Sequence, residues 1–468
     1  RLKQMLENHP EWCISRQRTW GTPIPAVICT ACNESILDPT IARNAAKRFA
    51  QTGASEWWSD PVETYLPDGF RCPNCSGTTF EKEKNIVDIW FESGVTHLAV
   101  LGNETWPSDL VLEGGDQYRG WFRSSIVTSV AIKNAAPYKH VVKNGWVNDE
   151  QGRPMSKSKG TGIDAKDAME KWGADVLRLW AASVEFVDDV RFGPNVVEQV
   201  GRVYRNIRNR IRYMLSNLFD LDAGAVVPRE KMQPLDAIAC NVIDAFVADV
   251  THLYHEFGIH DAYLRIIEFE SAMSSFYFDA LKDPLYSLGE NSARRRSAQS
   301  ALLYALRRFL TAVAPILSFT AEEAWQEIPA ALRGEEQSVF DSSFGAQHVN
   351  RQALAHDLET WELLRTLRAR VASGIEANGQ TIRDYETAAT VIVPARFVPA
   401  LERLGDNLRE ALVVSQLIAI EPAEGDSADV RLEAAHGDKC RRCWKFRELG
   451  TDPQHPAICA ECAEVLLS

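Results

Sequence analysis

Between residues 194 and about 329, apolar side chains recur at i, i+3 and i+4, the spacing that gathers them on one face of a helix. The pattern predicts helices over 241–255, 260–281 and 293–314, and therefore a helix bundle. Upstream the rhythm changes. Residues 86–91 and 110–113 are short apolar runs followed by glycines, 118–132 is a long helical stretch, and 140–147 reads as another strand. Strand, glycine turn and helix in succession are the signs of a parallel α/β sheet. Residues 151–162 form a Gly/Ser/Lys loop, and 164–182 a helix with Asp164 as its N-cap. Downstream, 351–376 is helical, and strands at 388–393 and 416–420 flank a helix at 399–412 that opens on Pro399. Residues 421–429 read as an acidic linker. Near the start, 11–26 is a proline- and aromatic-rich loop running into a strand at 26–28, and 29–75 surrounds a helical, Trp-bearing middle at 41–58.

These runs divide the 468 residues into a multidomain α/β plus all-α chain. The expected segments are a return strand and loop (1–28), an inserted zinc module (29–84), part of an α/β sheet (85–135) and a lysine-loop region (136–193). A helix bundle (194–345), a small α/β domain (346–438) and a terminal zinc ribbon (439–468) follow. With 45% apolar and 25% charged residues the composition is globular, which excludes disorder and fibrous repeats. No uninterrupted apolar run approaches the roughly 20 residues of a membrane span, so no membrane partner is expected. The net charge of −13 means that any nucleic-acid partner must be met by a local basic patch. The chain opens on Arg1 in a polar, motif-like stretch, which reads as the interior of a longer protein.

Eight of the ten cysteines form four Cys-x-x-Cys pairs: Cys29/Cys32, Cys72/Cys75, Cys440/Cys443 and Cys459/Cys462. Such pairs occur as redox disulfides, but four in two groups fit tetrahedral thiolate zinc sites better, which favours a reducing cytoplasm. Fifteen residues separate the last two pairs, within zinc-ribbon spacing. The first group spans a 39-residue gap, which leaves open one shared zinc or one weakly loaded knuckle beside an empty one. Arg441, Arg442, Trp444, Lys445 and Arg447 surround the terminal knuckle, a combination suited to RNA backbone and base stacking, or to a solvated structural ribbon. Arg202, Arg205, Arg208 and Arg212 lie near one helix face, with Val203, Ile207, Ile211 and Leu215 on another. The stripe is a candidate RNA-backbone track, and Arg294–Arg296 and Arg307–Arg308 are weaker examples.

Met155-Ser156-Lys157-Ser158-Lys159-Gly160 puts ammonium and hydroxyl groups on a loop that can close on a polyphosphate. It resembles the second signature, Lys-Met-Ser-Lys-Ser, of the class I aminoacyl-tRNA synthetases. Residues 12–21 (Trp-Cys-Ile-Ser-Arg-Gln-Arg-Thr-Trp-Gly), 88–94 (Asp-Ile-Trp-Phe-Glu-Ser-Gly) and 112–122 (Leu-Glu-Gly-Gly-Asp-Gln-Tyr-Arg-Gly-Trp-Phe) are similar to the bacterial isoleucyl branch of that family.

The resemblance implies the second half of a Rossmann-like catalytic fold with a zinc insertion, a helix-bundle anticodon domain, a junction domain and a zinc ribbon. It implies ATP-dependent activation of L-isoleucine and its transfer to tRNA(Ile) by a cytoplasmic, monomeric enzyme that uses Mg²⁺ with ATP. By the same carry-over Trp90 and Trp121 wall the isoleucine pocket. Glu113, Gly114 and Asp116 lie near the adenylate ribose, and Gln117 near the amino-acid carboxyl end. Lys157 stabilises phosphate, assisted by Ser156, Ser158 and Lys159. Zinc on Cys440, Cys443, Cys459 and Cys462 supports tRNA contact. Two departures stand out: Pro154 replaces the first signature lysine, with Arg153 beside it to restore charge, and Thr161 stands where Asn is common. No His-Ile-Gly-His sequence occurs, and most of the editing domain is missing. The chain is thus expected to need a complementary N-terminal half; the other reading is a non-catalytic, zinc-containing tRNA-binding fragment.

Overall fold

The computed structural model describes all residues except 1, 9–10, 103, 156–160, 346–348, 378–383 and 468. It divides into two compact units: Arg1–Trp146 with Val187–Asp189, and Val147–Phe186 with Val190–Ser468.

In the first unit, Val27–Cys29 is the middle strand of a three-stranded antiparallel sheet between Ser35–Ile36 and Phe80–Lys82. Asp38 starts the helix Pro39–Thr52 by accepting from the Thr40 and Ile41 amides, and Gly53, at φ +94°, ends it. The helical middle expected over 41–58 thus consists of two helices, the second being Glu56–Ser59. Buried Ile41, Trp57 and Tyr65 pack against the cysteine knuckles. The strand expected over 86–91 stops at Val87, where Ile86–Val87 pairs with Ser15–Arg16. Asp88 then caps a helix, Ile89–Gly94, by accepting from the Trp90 amide.

Ser108–Gly114 and Tyr138–Asn144 run parallel and are joined through the helix Trp121–Lys133, a βαβ unit. That helix starts three residues later than expected because a 3-10 turn, Gly115–Tyr118, comes first. The strand expected over 140–147 ends at Asn144. A Cβ on Gly145 would lie 2.0 Å from the Asp188 carbonyl oxygen, an approach only glycine permits. Leu110, Leu112, Val127, Val130 and Val141 are exposed on this unit.

In the second unit, Gly173, at φ +88°, splits the expected 164–182 helix into Ala165–Trp172 and Ala174–Ala182. Asp164 is the N-cap as expected and accepts from the Lys166 amide. The bundle holds Pro194–Ser216, Pro234–His255, Ile259–Ala272, Ala293–Val313 and Ser318–Gln326 around one large core. Pro234–His255 is long and apolar enough to cross a membrane by length and composition, although Asp236, Asp244 and Asp249 interrupt it. Its apolar residues are core, with Phe246 stacked on Phe269 at 3.9 Å.

The C-terminal sheet runs Gln416–Ala423, Thr387–Pro394, Asp429–Ala434, parallel then antiparallel. The linker reading is corrected at both ends: Gln416–Ala423 takes residues 421–423 and Asp429–Ala434 takes 429, so only the turn 424–428 remains. Gly405, at φ +53°, likewise breaks the helix expected over 399–412 into Val398–Leu404 and Asp406–Leu412.

Candidate active site, metal centres and nucleic-acid surface

The first unit brings together the residues singled out between 88 and 122. Asp88, buried, accepts from Trp12 Nε1 at 3.0 Å and Arg16 Nη2 at 2.7 Å while capping the helix that carries Trp90. That helix lies against Trp121–Lys133 at backbone distance: a Cβ on Gly94 would sit 2.9 Å from the Ser124 carbonyl carbon. Thr128 Oγ1 donates to the Gly94 carbonyl at 2.8 Å, and Trp121 Nε1 donates to the Ser93 carbonyl at 3.1 Å. The Trp90 ring stays 40% exposed and passes Gly120, where a Cβ would come within 3.1 Å of the indole and 2.9 Å of Gln117 Oε1. Gln117 Nε2 donates to Asp116 Oδ2 at 3.0 Å, and its Oε1 accepts the Trp121 amide. Two indoles, an amide and a carboxylate thus share one corner, at the C-terminal end of the strand that holds Glu113 and Gly114.

Beside this corner opens a cleft of about 510 Å³ lined by Asp116, Tyr118, Arg119, Lys143, Trp146 and Asp189, among others. It lies at the carboxyl ends of parallel strands, where open α/β sheets bind ligands. Glu113 is in register with Lys143 and Gly114 with Asn144. Sequence reasoning missed Lys143, Trp146 and Asp189. Lys143 and Trp146 lie within the strand expected over 140–147, but only its register against 108–114 puts them at the cleft, and no local signal points to Asp189.

Ser156, Lys157, Ser158 and Lys159 fall outside the described residues. The turn leading to them is well tied. Asp149 Oδ1 accepts the Gln151 and Arg153 amides at 3.0 and 2.8 Å, and Oδ2 accepts Arg153 Nε at 2.8 Å. These bonds hold the Asp149 carboxyl below its usual range, the Arg153 side chain contributing most. Arg153 also reaches Gln151 Oε1, so its guanidinium is held at the turn beside Pro154. Glu150 accepts the Asn195 amide at 2.7 Å and joins the turn to the first residues of Pro194–Ser216.

Both cysteine groups converge. In each, the four sulfurs lie within 4.8 Å of one another. Cys29–Cys75 and Cys32–Cys72 are 3.6 Å apart, and Cys443–Cys459 are 3.8 Å apart. Four sulfurs about 2.3 Å from a tetrahedral zinc would be about 3.8 Å apart, so each group can hold one zinc ion. The 39-residue gap in the first group therefore closes on a single cluster. Burial raises the Cys440 thiol, but the amides of Cys443, Cys459 and Arg442 outweigh it and bring it down to about 6. The Ala31 and Cys32 amides likewise overcome burial and bring Cys29 down to about 7. Their neighbours move the other way, Cys75 up to about 12 and Cys443 and Cys459 also up, as adjoining sulfurs share protons; the deprotonated thiolate is the form that ligates metal.

Arg202, Arg205, Arg208 and Arg212 are exposed along Pro194–Ser216, over buried Ile207 and Ile211 and half-buried Val203 and Leu215. Arg208 pairs with Glu323 at 3.0 Å and Arg202 approaches Glu198 at 4.0 Å. Arg205 and Arg212 have no ion pair among the described residues. The weaker arginine groups turn inward instead: Arg294 meets Asp236 and Glu410, Arg295 and Arg296 meet Asp220, Arg307 meets Glu336 and Arg308 meets Asp244. The terminal knuckle divides in the same way. Trp444 is 64% exposed and Arg441 is exposed. Lys445 pairs with Asp283, Arg447 with Glu461, and Arg442 donates to the Ser287 carbonyl.

Residues 1–193 match the model of class I tRNA synthetases (I, L, M and V), and 236–381 match that of the anticodon-binding domain of tRNA ligases. The isoleucine--tRNA ligase of Nitratidesulfovibrio vulgaris (strain Miyazaki F) is 39% identical over all of this chain and 52% of its own length. That of Fervidobacterium nodosum is 38% identical with the same coverage. Over its whole length the chain is similar to the isoleucyl class I tRNA synthetases. It spans about half the length of the curated synthetases it matches. A synthetase fold is also seen in the LeuRS of Agrobacterium radiobacter K84, solved as a ternary complex with tRNA and LeuAMS. The likeness has a TM-score of 0.51 at 16% identity, over 87% of this chain and 50% of that one. Trp90, Gln117 and Trp121 lie in the stretch covered by the synthetase model, and the two cysteine clusters could each hold a metal ion.

Proposed function

We propose that this chain supplies the isoleucine- and nucleotide-binding rim, the phosphate loop and the tRNA-binding domains of a cytoplasmic, monomeric isoleucyl-tRNA synthetase. In this reading it acts together with a segment bearing the His-Ile-Gly-His signature, which the present sequence does not contain. The observation that carries it is the corner at the end of Ser108–Gly114, where two indoles, an amide and a carboxylate converge beside an open cleft. The parallel pair Ser108–Gly114 and Tyr138–Asn144 would then belong to a larger doubly wound sheet. Its exposed Leu110, Leu112 and Val141 support this, because parallel sheets are ordinarily covered on both faces.

The rigid rings of Trp90 and Trp121 would flank the branched side chain of L-isoleucine. Gln117 would face its carboxylate end. Glu113 and Asp116 would accept ribose hydroxyls, with the Gly114 backbone beside them. The isoleucine carboxylate oxygen bonds to the α-phosphorus as the bond to pyrophosphate breaks. Lys157 follows the charge onto the leaving group, aided by Lys159 and the hydroxyls of Ser156 and Ser158. Magnesium bound with ATP neutralises phosphate charge. The tRNA 3′-terminal hydroxyl then takes the isoleucyl group and AMP leaves. Arg202, Arg205, Arg208 and Arg212 would meet the tRNA backbone and Trp444 a base, with zinc shaping both cysteine modules.

The test is isoleucine-dependent ATP–pyrophosphate exchange by the chain alone and with the complementary half supplied. Exchange on complementation that disappears in Lys157→Ala is expected. Silence in both, with tRNA(Ile) still bound, would favour the non-catalytic tRNA-binding reading. Exchange by the chain alone would refute the need for the second half.

A further inference from the structure

The four thiolates of a zinc-loaded Cys440–Cys443–Cys459–Cys462 site carry two negative charges in excess of the metal's. All four cysteines are buried, and a buried charge of that size needs a compensating partner. The terminal knuckle has three half-buried or buried cations, and they are used differently. Lys445, 2% exposed, meets Asp283 on the helix Lys282–Ser287. Arg447 is neutralised by Glu461 at 3.0 Å. Arg442 has no carboxylate partner among the described residues. Its Nη1 lies 3.5 Å from Cys462 Sγ and also donates to the Ser287 carbonyl on that same helix.

We propose that Arg442 is an outer-sphere partner of the terminal zinc site, offsetting the thiolate charge through Cys462 while fastening the ribbon to Lys282–Ser287. The sulfur and the carbonyl share one guanidinium nitrogen, so holding the metal and holding the helix are one arrangement. Groups that hydrogen-bond to metal ligands fix their orientation and tune affinity. The first cysteine cluster provides an internal control, since among the described residues no arginine or lysine hydrogen-bonds to its sulfurs. Its sulfurs face the backbone amides of Ala31, Cys32 and Gly77. This assignment turns the half-buried Arg442 towards the zinc site, and leaves Trp444 and Arg441 as the exposed groups of the knuckle.

The experiment is zinc release from the full chain to a chromophoric chelator, with metal content and hydrogen exchange of residues 282–289 measured alongside. Arg442→Ala should speed release from one of two sites about tenfold and raise exchange at 282–289, with the other site unchanged. Arg442→Lys, which keeps the charge but not the planar fork, should fall between. Trp444→Ala should leave both sites as they are. Release within twofold of the original protein in Arg442→Ala, or equal acceleration at both sites, would overturn the proposal alone. Unchanged zinc content in Cys443→Ser would overturn it together with the reading of the cysteines as a zinc site.

Discussion

Replacing Arg294 by methionine should destabilise the helix bundle by about 3–5 kcal/mol, the usual cost of removing one member of a buried ion pair. Its guanidinium joins three elements: Nη1 donates to Asp236 Oδ2 and Nε to Glu410 Oε2, both at 2.7 Å. The helices bridged are Pro234–His255, Ala293–Val313 and Asp406–Leu412. Methionine replaces most of the volume but leaves two carboxylates without their cation. They do not suffer equally. Asp236 retains the Tyr277 hydroxyl at 2.8 Å and the Ser297 hydroxyl at 2.6 Å, whereas Glu410 retains the Asn407 amide at 3.2 Å.

Burial already pushes the Glu410 carboxyl above its usual range, and Arg294 is the main group pulling it back. Without the arginine the carboxyl rises further and takes up a proton. A carboxyl raised in the folded state keeps its stability below the unfolded pKa of about 4.3 and loses it as pH climbs toward the folded value. The deficit of Arg294→Met should therefore grow between pH 5 and pH 8, by at most about 1.4 kcal/mol per pH unit. Native-state hydrogen exchange of Ala293–Val313 amides, in variant and original side by side, measures it. Adding Glu410→Gln should flatten the pH dependence. A deficit below about 1 kcal/mol, or one equal at both pH values, would refute the reasoning.

Three further outcomes are expected. Gly145→Ala sets a Cβ 2.0 Å from the Asp188 carbonyl oxygen and 2.7 Å from the Asp189 amide, so the end of the cleft must move; ATP affinity followed by Trp fluorescence should fall about tenfold with the bundle's melting unchanged. Elemental analysis should give two zinc ions per chain, and Cys72→Ser should lose one of them together with the fold of 27–82, since a structural zinc contributes on the order of 10 kcal/mol or more to such modules. In filter binding at varied salt, Arg205→Gln and Arg212→Gln should each lower the log–log salt slope for tRNA(Ile) by about one, and Arg208→Gln by less, because Glu323 already holds it.

What could be read in advance follows from the range over which each feature is decided. The bundle helices and the Asp164 cap were legible because helical periodicity and capping act within a few residues. The cysteine clusters were legible despite long gaps because tetrahedral thiolate chemistry names its own partners. The helix at Ile89–Gly94 was missed although its signal was local, since Asp88 is a good N-cap that the apolar run around it disguised as strand. Lys143 and Trp146 could be placed at the cleft only once strand register was known.

The arginines mark the sharper boundary, because a sequence displays a charge but not its partner. Arg294 finds its carboxylates 58 and 116 residues away, so the 294–296 run that reads as a weaker candidate RNA-backbone track is a set of largely buried, ion-paired arginines. The terminal knuckle repeats this within four residues. Trp444 adopts φ +64°, a left-handed conformation uncommon outside glycine, and its ring stands exposed while Arg442 and Lys445 on either side turn inward. The exposed indole and the inward-turned cations thus sit within four residues of one another, a distinction that neither spacing nor net charge contains.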